Sequence, residues 1–209
     1  MSKPLIISDC DEVLLYMVAP FKAWLEEGEG VTFNLKGNDF ANALRWDKTG
    51  ELVEPMDMWK FLRRFFDNEM HRQTPITGAV EGMNRLAEVA DVVVLTNLED
   101  KHQESRTEQL AEVGINARVF TNQGPKGPAL AKILAEYQPS TSIFIDDLAQ
   151  HHKSAMEVVP HLGRLHLCAE PMISPHIDCA HEAGHADARI DNWAEALPWL
   201  LNQIEGAAA

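Results

Sequence analysis

The sequence predicts an α/β fold: a parallel sheet with helices on both faces and a small helical segment inserted after the first strand. Three observations carry this. Short apolar runs recur at Leu5–Ser8, Asp91–Leu95, Ala117–Phe120, Ser142–Ile145 and Arg164–Leu167. Helical spacing fills the intervals between the later ones, and strand–helix alternation of this kind specifies parallel pairing. Residues 16–75 break the alternation, with aromatic residues at helical spacing and no strong strand.

The first run, Leu5-Ile6-Ile7-Ser8, is apolar enough to be buried on both faces, as central strands of parallel sheets are. Within the insert, Phe21, Trp24 and Leu25 form a helical face that Gly28 and Gly30 end. Asp39 to Arg45 reads as a second short helix with Asp39 as its N-cap, and Asp47-Lys48-Thr49-Gly50 as a turn. Pro55 opens a third helix running to about Arg72, with Met58, Trp59, Leu62, Phe65 and Phe66 on its apolar side. Thr74-Pro75 ends it.

From Thr77 the chain is regular. Val80, Met83, Leu86 and Ala90 mark a helix. Lys101–Val113 is another, closed by Gly114. Gly124-Pro125-Lys126-Gly127-Pro128 opens a helix to Tyr137, and Ala149–Val158 is the next. Glu170–Ala186 fits no element, and loops of that length are functional or mobile. Asp191–Gln203 is a last amphipathic helix, and Gly206–Ala209 a frayed end.

Composition narrows the functional classes. A hydrophobic fraction of 45% and a charged fraction of 24% are those of a soluble globular chain. The formal net charge of −14 disfavours nucleic acid and anionic membrane surfaces as partners. It leaves room for an anionic small molecule, because a metal and a few cations can reverse the field inside one cleft. Cys10, Cys168 and Cys179 have no CxxC spacing, which fits a reducing compartment. No secretory signal or membrane-length apolar run is evident. The expected location is cytoplasmic.

The chemistry gathers at the strand ends. The first strand runs into Asp9 and Asp11, the second ends at Thr96-Asn97, the fourth at Asp146-Asp147, and Lys126 starts a helix. In an open α/β sheet these C-terminal edges share one side, where ligands bind. Paired carboxylates there are costly unless a cation joins them. Carboxylates for Mg²⁺, a lysine, a hydroxyl and backbone N–H groups make an inventory suited to phosphoryl transfer.

In this order the residues resemble the motifs of the haloacid dehalogenase (HAD) superfamily. Asp9-Cys10-Asp11-Glu12-Val13-Leu14 after an apolar strand is similar to its first motif, Asp-x-Asp-x-Thr/Val-Leu/Val. Thr96 resembles the second, Lys126 the third and Asp146-Asp147 the fourth. The likeness covers Pro4–Leu15 and about Ile76–Leu167. It implies a Rossmann-like core of residues 1–15 and 76–209, with residues 16–75 where that superfamily places a type 1 helical cap.

By the same resemblance, Asp9 is the nucleophile and Asp11 the general acid and then base. Mg²⁺ is held by Asp9, the Asp11 backbone carbonyl and the Asp146/Asp147 pair, with Asp147 favoured as the direct ligand. Thr96, Asn97 and Lys126 hold the transferred group. The implied activity is Mg²⁺-dependent hydrolysis of a small phosphorylated metabolite through an aspartyl-phosphate. Dehalogenase or phosphomutase chemistry on the same fold is the first alternative. An idle HAD-like module that binds a phosphorylated ligand is the second.

Other residues receive plainer readings. Glu12, where the family often has a small residue, is expected to face solvent, with metal binding or hindrance of an anion as the alternative. His151-His152 are expected on a solvated surface. Cys10, between two carboxylates, should be inert. His176, His181 and His185, with Asp178 and Asp187, match no standard zinc spacing. Trp24, Trp46, Trp59, Phe65 and Phe66 read as a small helical core. Arg45, Arg63 and Arg64 read as surface charges, or as guides for an anion.

Overall fold

In a computed structural model of the chain, which describes residues 2–34 and 42–206, strand β1 (Leu5–Ser8) is buried along its whole length. On one side it pairs with β4 (Asp91–Thr96), and β4 with β5 (Arg118–Thr121). On the other it pairs with β6 (Ser142–Asp146), followed by β7 (Gly163–His166) and β8 (Ala188–Arg189). The order is β5-β4-β1-β6-β7-β8 and every pairing is parallel. The chain leaves β1 for β4 on one flank and later reaches β6 on the other. That is the switch point at which such sheets bind ligands, at the carboxyl end of β1.

Side-chain alternation sends neighbouring residues to opposite faces. Ile6, Val94, Ile143 and Ile145 pack with residues of α3 (Ala79–Ala87), α4 (Gln103–Glu112) and α7 (Trp193–Gly206). Leu5, Ile7, Val93, Leu95 and Phe144 pack against α5 (Gly127–Tyr137) and α6 (Ala149–Val158). Each such buried side chain contributes roughly 1.5–3 kcal/mol. Trp193 ties α7 to the segment after β1, because its indole Nε1–H donates to the Val13 carbonyl at 2.8 Å. Its ring fills the space a side chain at Gly82 would need: a Cβ there would lie 2.4 Å from Trp193 Cε3.

The insert differs from its expected all-helical form. It contains α1 (Val18–Trp24), a π-turn at Leu25–Glu29, α2 (Pro55–Asn68) and a 3₁₀ turn at Met70–Arg72. It also contains an antiparallel pair of β2 (Val31–Phe33) and β3 (Leu44–Trp46). Residues 44 and 45 are therefore not in the expected helix, and Asp39, its supposed N-cap, lies outside the described residues. The reason is tertiary. Val31 and Phe33 bury one face of β2 against Leu44, and β-branched and aromatic residues suit a half-buried strand.

The aromatic cluster forms around Phe21, Trp24, Phe61 and Phe65, with Phe21 and Phe65 edge to face at 5.5 Å. Trp59 is a correction: 65% of it is exposed. The inward stripe of α2 is Met58, Phe61 and Phe65, whose spacing follows the 3.6-residue period. Cys168 and Ile173, from the far side of the chain, are buried in this same cluster.

The sheet has six strands where five are expected, because β8 is two residues long and too short to show a pattern. Lys101 falls in a 3₁₀ turn, Asp100–His102, just before α4. The stretch 170–186 contains a 3₁₀ turn at Ser174–His176 and otherwise turns and irregular chain. Residues 207–209, expected to fray, are outside the described residues. No helix among the described residues is long and apolar enough to cross a membrane.

Candidate active site

Asp9 follows β1 directly, and its backbone N–H donates to the Ile145 carbonyl at 2.8 Å. The register pairs Ser8 with both Val94 and Ile145. Thr96 and Asp146 at the ends of β4 and β6 therefore open on the same edge as Asp9. Lys126, just before α5, is wholly buried and bridges two of these groups. Its Nζ lies 2.8 Å from Asp9 Oδ1 and 2.7 Å from Asp146 Oδ2.

The hydrogen bonds distinguish the carboxylates. Asp9 Oδ1 also accepts from the Cys10 N–H at 2.7 Å, leaving Oδ2 as the less engaged oxygen. Asp146 is occupied at both oxygens, by Lys126 and by the Leu148 N–H at 2.9 Å. Asp147 is held through its backbone, whose carbonyl meets His166 Nε2 at 2.7 Å. His166 Nδ1 accepts from the Ala180 N–H at 3.0 Å, so the ring proton sits on Nε2. The loop at residues 178–180 is thereby anchored under the site.

Electrostatics show which charge lacks a partner. Burial pushes the Asp9 carboxyl up to about 7, with Lys126 opposing and Asp146 and Asp11 adding to the rise. Burial, then Asp146 and Asp9, raise Asp147 well above the carboxylate range. Burial also acts upward on Asp146, but Lys126 outweighs it and holds that carboxyl low. Lys126 itself stands above its ordinary range, because Asp146 and Asp9 overcome its own burial.

Asp9, Asp146 and Asp147 each offer an oxygen, all within 4.8 Å of one another. Three carboxylates around one lysine leave negative charge in excess. The donors are hard oxygens, as Mg²⁺ requires, and a divalent cation would supply the missing charge. The residues present fit that ion.

Asp11 lies apart from this trio. Its carboxylate accepts from Arg106 Nη2 at 3.0 Å and from Gln73 Nε2 at 2.7 Å. Arg106 on α4 is fully buried and also donates to Cys10 Sγ. Sequence reasoning missed both partners. Arg106 sits in a polar stretch, Gln103 to Glu112, that gives no sign of burial. Cys10 is buried and its thiol pushed up, chiefly by burial and then by Asp11 and Asp9, against Arg106, as expected of an inert cysteine. Thr96 is buried and its Oγ1 has no hydrogen-bond partner. Asn97 is exposed and bonds to the Gly124 carbonyl and to Asn122.

Two expectations are overturned. Glu12 is buried, not solvent-facing, in the left-handed region at φ 61°. Its Oε1 accepts from the Met17 and Val18 N–H groups at 2.9 and 2.5 Å, and these bonds repay the strain. Burial raises its carboxyl to about 8, the two N–H bonds opposing. His151 and His152 are also buried. His152 lies against Phe144 and His166, and burial lowers it to about 4. The surface arginines behave as expected: Arg63 pairs with Glu99 and Arg64 with Glu29. The three loop histidines contribute to no metal-competent group among the described residues.

Fold and site together define a doubly wound α/β protein with a buried acidic cluster at its switch point. No family model and no curated protein matches the sequence. Solved structures do. A HAD family hydrolase from Deinococcus radiodurans, solved with bound phosphate and sodium, superposes with a TM-score of 0.65 at 18% identity, covering 96% of each chain. A haloacid dehalogenase-like hydrolase from Streptococcus pneumoniae gives 0.64 at 10% identity, over 95% of this chain and 98% of that one. A protein from Haemophilus somnus titled a predicted phosphoglycolate phosphatase gives 0.63 at 15%, over 94% and 97%. The chain has the haloacid dehalogenase-like fold.

Proposed function

We propose that the protein is a Mg²⁺-dependent phosphomonoester hydrolase that works through an aspartyl-phosphate on Asp9. The observation that carries the reading is the buried trio Asp9, Asp146 and Asp147 around Lys126. The fold it shares with HAD hydrolases, one of them solved with phosphate bound, supports it.

Asp9 Oδ2 attacks phosphorus while Cys10 N–H and Lys126 hold Oδ1. Asp11 protonates the departing alkoxide, then takes a proton from the water that cleaves the acyl phosphate, releasing phosphate and restoring Asp9. Mg²⁺, held by Asp9, the Asp11 carbonyl and Asp147, would neutralise phosphate oxygens that otherwise repel Asp9. Asp146 is the weaker candidate for direct ligation, since Lys126 and the Leu148 N–H occupy both of its oxygens. Thr96 Oγ1, lacking a partner, and Asn97 would orient the phosphoryl oxygens together with Lys126. Residues 16–75 would act as the cap over a core of residues 1–15 and 76–209.

Dehalogenation is the weaker reading. Halide leaves without a proton, and displacing it needs no metal. A chain with an acid at Asp11 and extra carboxylates at Asp146 and Asp147 has groups that chemistry would not use. Acid-quenching the protein during turnover of an alkyl phosphate with Mg²⁺ tests the proposal. A phosphoryl group should map to Asp9; a label on another residue would refute it.

A further inference from the structure

A cavity of about 380 Å³ lies against Asp147, between the start of α1 and the loop at residues 173–178. That volume suits a small metabolite. Met17, Ile173 and Ile177 give it apolar walls, and its acids are Glu12, Asp147 and Asp178. His176 also lines it, and among the described residues no lysine or arginine does. Glu12 is only 2% exposed, and with Oε1 committed to the backbone, its Oε2 is buried without any hydrogen-bond partner.

We propose that this cavity seats the substrate's leaving group, and that this group joins an apolar body to a positively charged nitrogen. The inference rests on the hydrolase reading and narrows its substrate class. A buried acceptor left unmatched is costly, and a ligand N–H would satisfy it. An ammonium would hold Glu12 ionised against the effect of its burial and bond it with charge assistance, and Asp178 lines the same cavity. A leaving group bearing a carboxylate or second phosphate would meet two acids and, among the described residues, no lysine or arginine, which disfavours it. Asp147 does not enter this balance once its own charge is matched by metal.

Three esters of similar size test the idea: aminopropyl phosphate, butyl phosphate and carboxyethyl phosphate. Hydrolysis is measured with Mg²⁺, and binding is measured separately by calorimetry on the Asp9→Asn protein. The amine should lead butyl phosphate by about tenfold in kcat/KM, with the carboxylate last, and binding should follow the same order. Glu12→Gln should bring the amine-to-butyl ratio towards one while butyl phosphate is still hydrolysed. Should Glu12→Gln fail to fold, Asp178→Asn, on the exposed loop, should lower the same ratio. Hydrolysis with the carboxylate favoured, or with no order among the three, overturns the inference and leaves the hydrolase standing. The predicted binding order without any hydrolysis does the reverse.

Discussion

Asp11 is the residue on which the reaction type turns. An alkoxide is a poor leaving group unless protonated as the bond breaks, whereas an aryl oxide needs far less help. Asp11→Asn should therefore lower the rate on alkyl phosphates by about 10²–10⁴. The loss on aryl phosphates should be smaller. Equal losses, read from steady-state kinetics on the two ester classes, would remove the acid role. Asp9, Asp11, Thr96, Lys126 and the Asp146-Asp147 pair were legible because each stands at a strand or helix end, where pattern and chemistry coincide. Glu12 and Arg106 were not. A buried glutamate carries no mark in sequence when its partners are the backbone N–H groups of Met17 and Val18. Arg106 is buried only because Asp11 and Cys10, far away in sequence, face it.

At the scale of elements, the close approach of α5 and α6 sets Lys126 beside Asp9 and Asp146. Gly127 permits it: a Cβ there would lie 2.3 Å from the Ser154 carbonyl oxygen. Its N–H donates to Ser154 Oγ at 3.0 Å. Gly127→Ala should thus cost about 1–3 kcal/mol in denaturant unfolding. Gly28→Ala, where nothing lies within 4 Å of the added carbon, serves as the control and should cost far less. Equal effects would mean that the helices accommodate the methyl group. The major strands and helices could be read from their periods, as Leu5–Ser8 and Ala149–Val158 illustrate. The pairing of β2 with β3 could not, because three-residue strands are specified by the cluster they cover rather than by local pattern.

For the whole molecule, the excess of buried carboxylate makes stability depend on metal and pH together. Asp9 stands at about 7 and Glu12 at about 8 when folded, against ordinary values of 3.8 and 4.5. Between those limits the metal-free folded state binds more protons than the unfolded chain. This contribution is therefore complete below about pH 4 and is lost as pH rises through 7 to 8. Mg²⁺ binds the ionised Asp9, so it should raise the thermal midpoint more at pH 8 than at pH 5.5. At a hundredfold excess over its Kd it stabilises by about 2.7 kcal/mol. A shift of the same size at both pH values, against EDTA controls, would contradict the charge assignment.

The central claim is that buried carboxylates at the carboxyl end of β1 hydrolyse a phosphate ester with Mg²⁺. Phosphate release from an alkyl phosphate, compared between the wild type and Asp9→Asn with Mg²⁺ or EDTA, measures it most directly. The account predicts release by the wild type with Mg²⁺, none above background in EDTA, and none from Asp9→Asn in either condition. Release by the wild type in EDTA, or by Asp9→Asn at the wild-type rate, would contradict it.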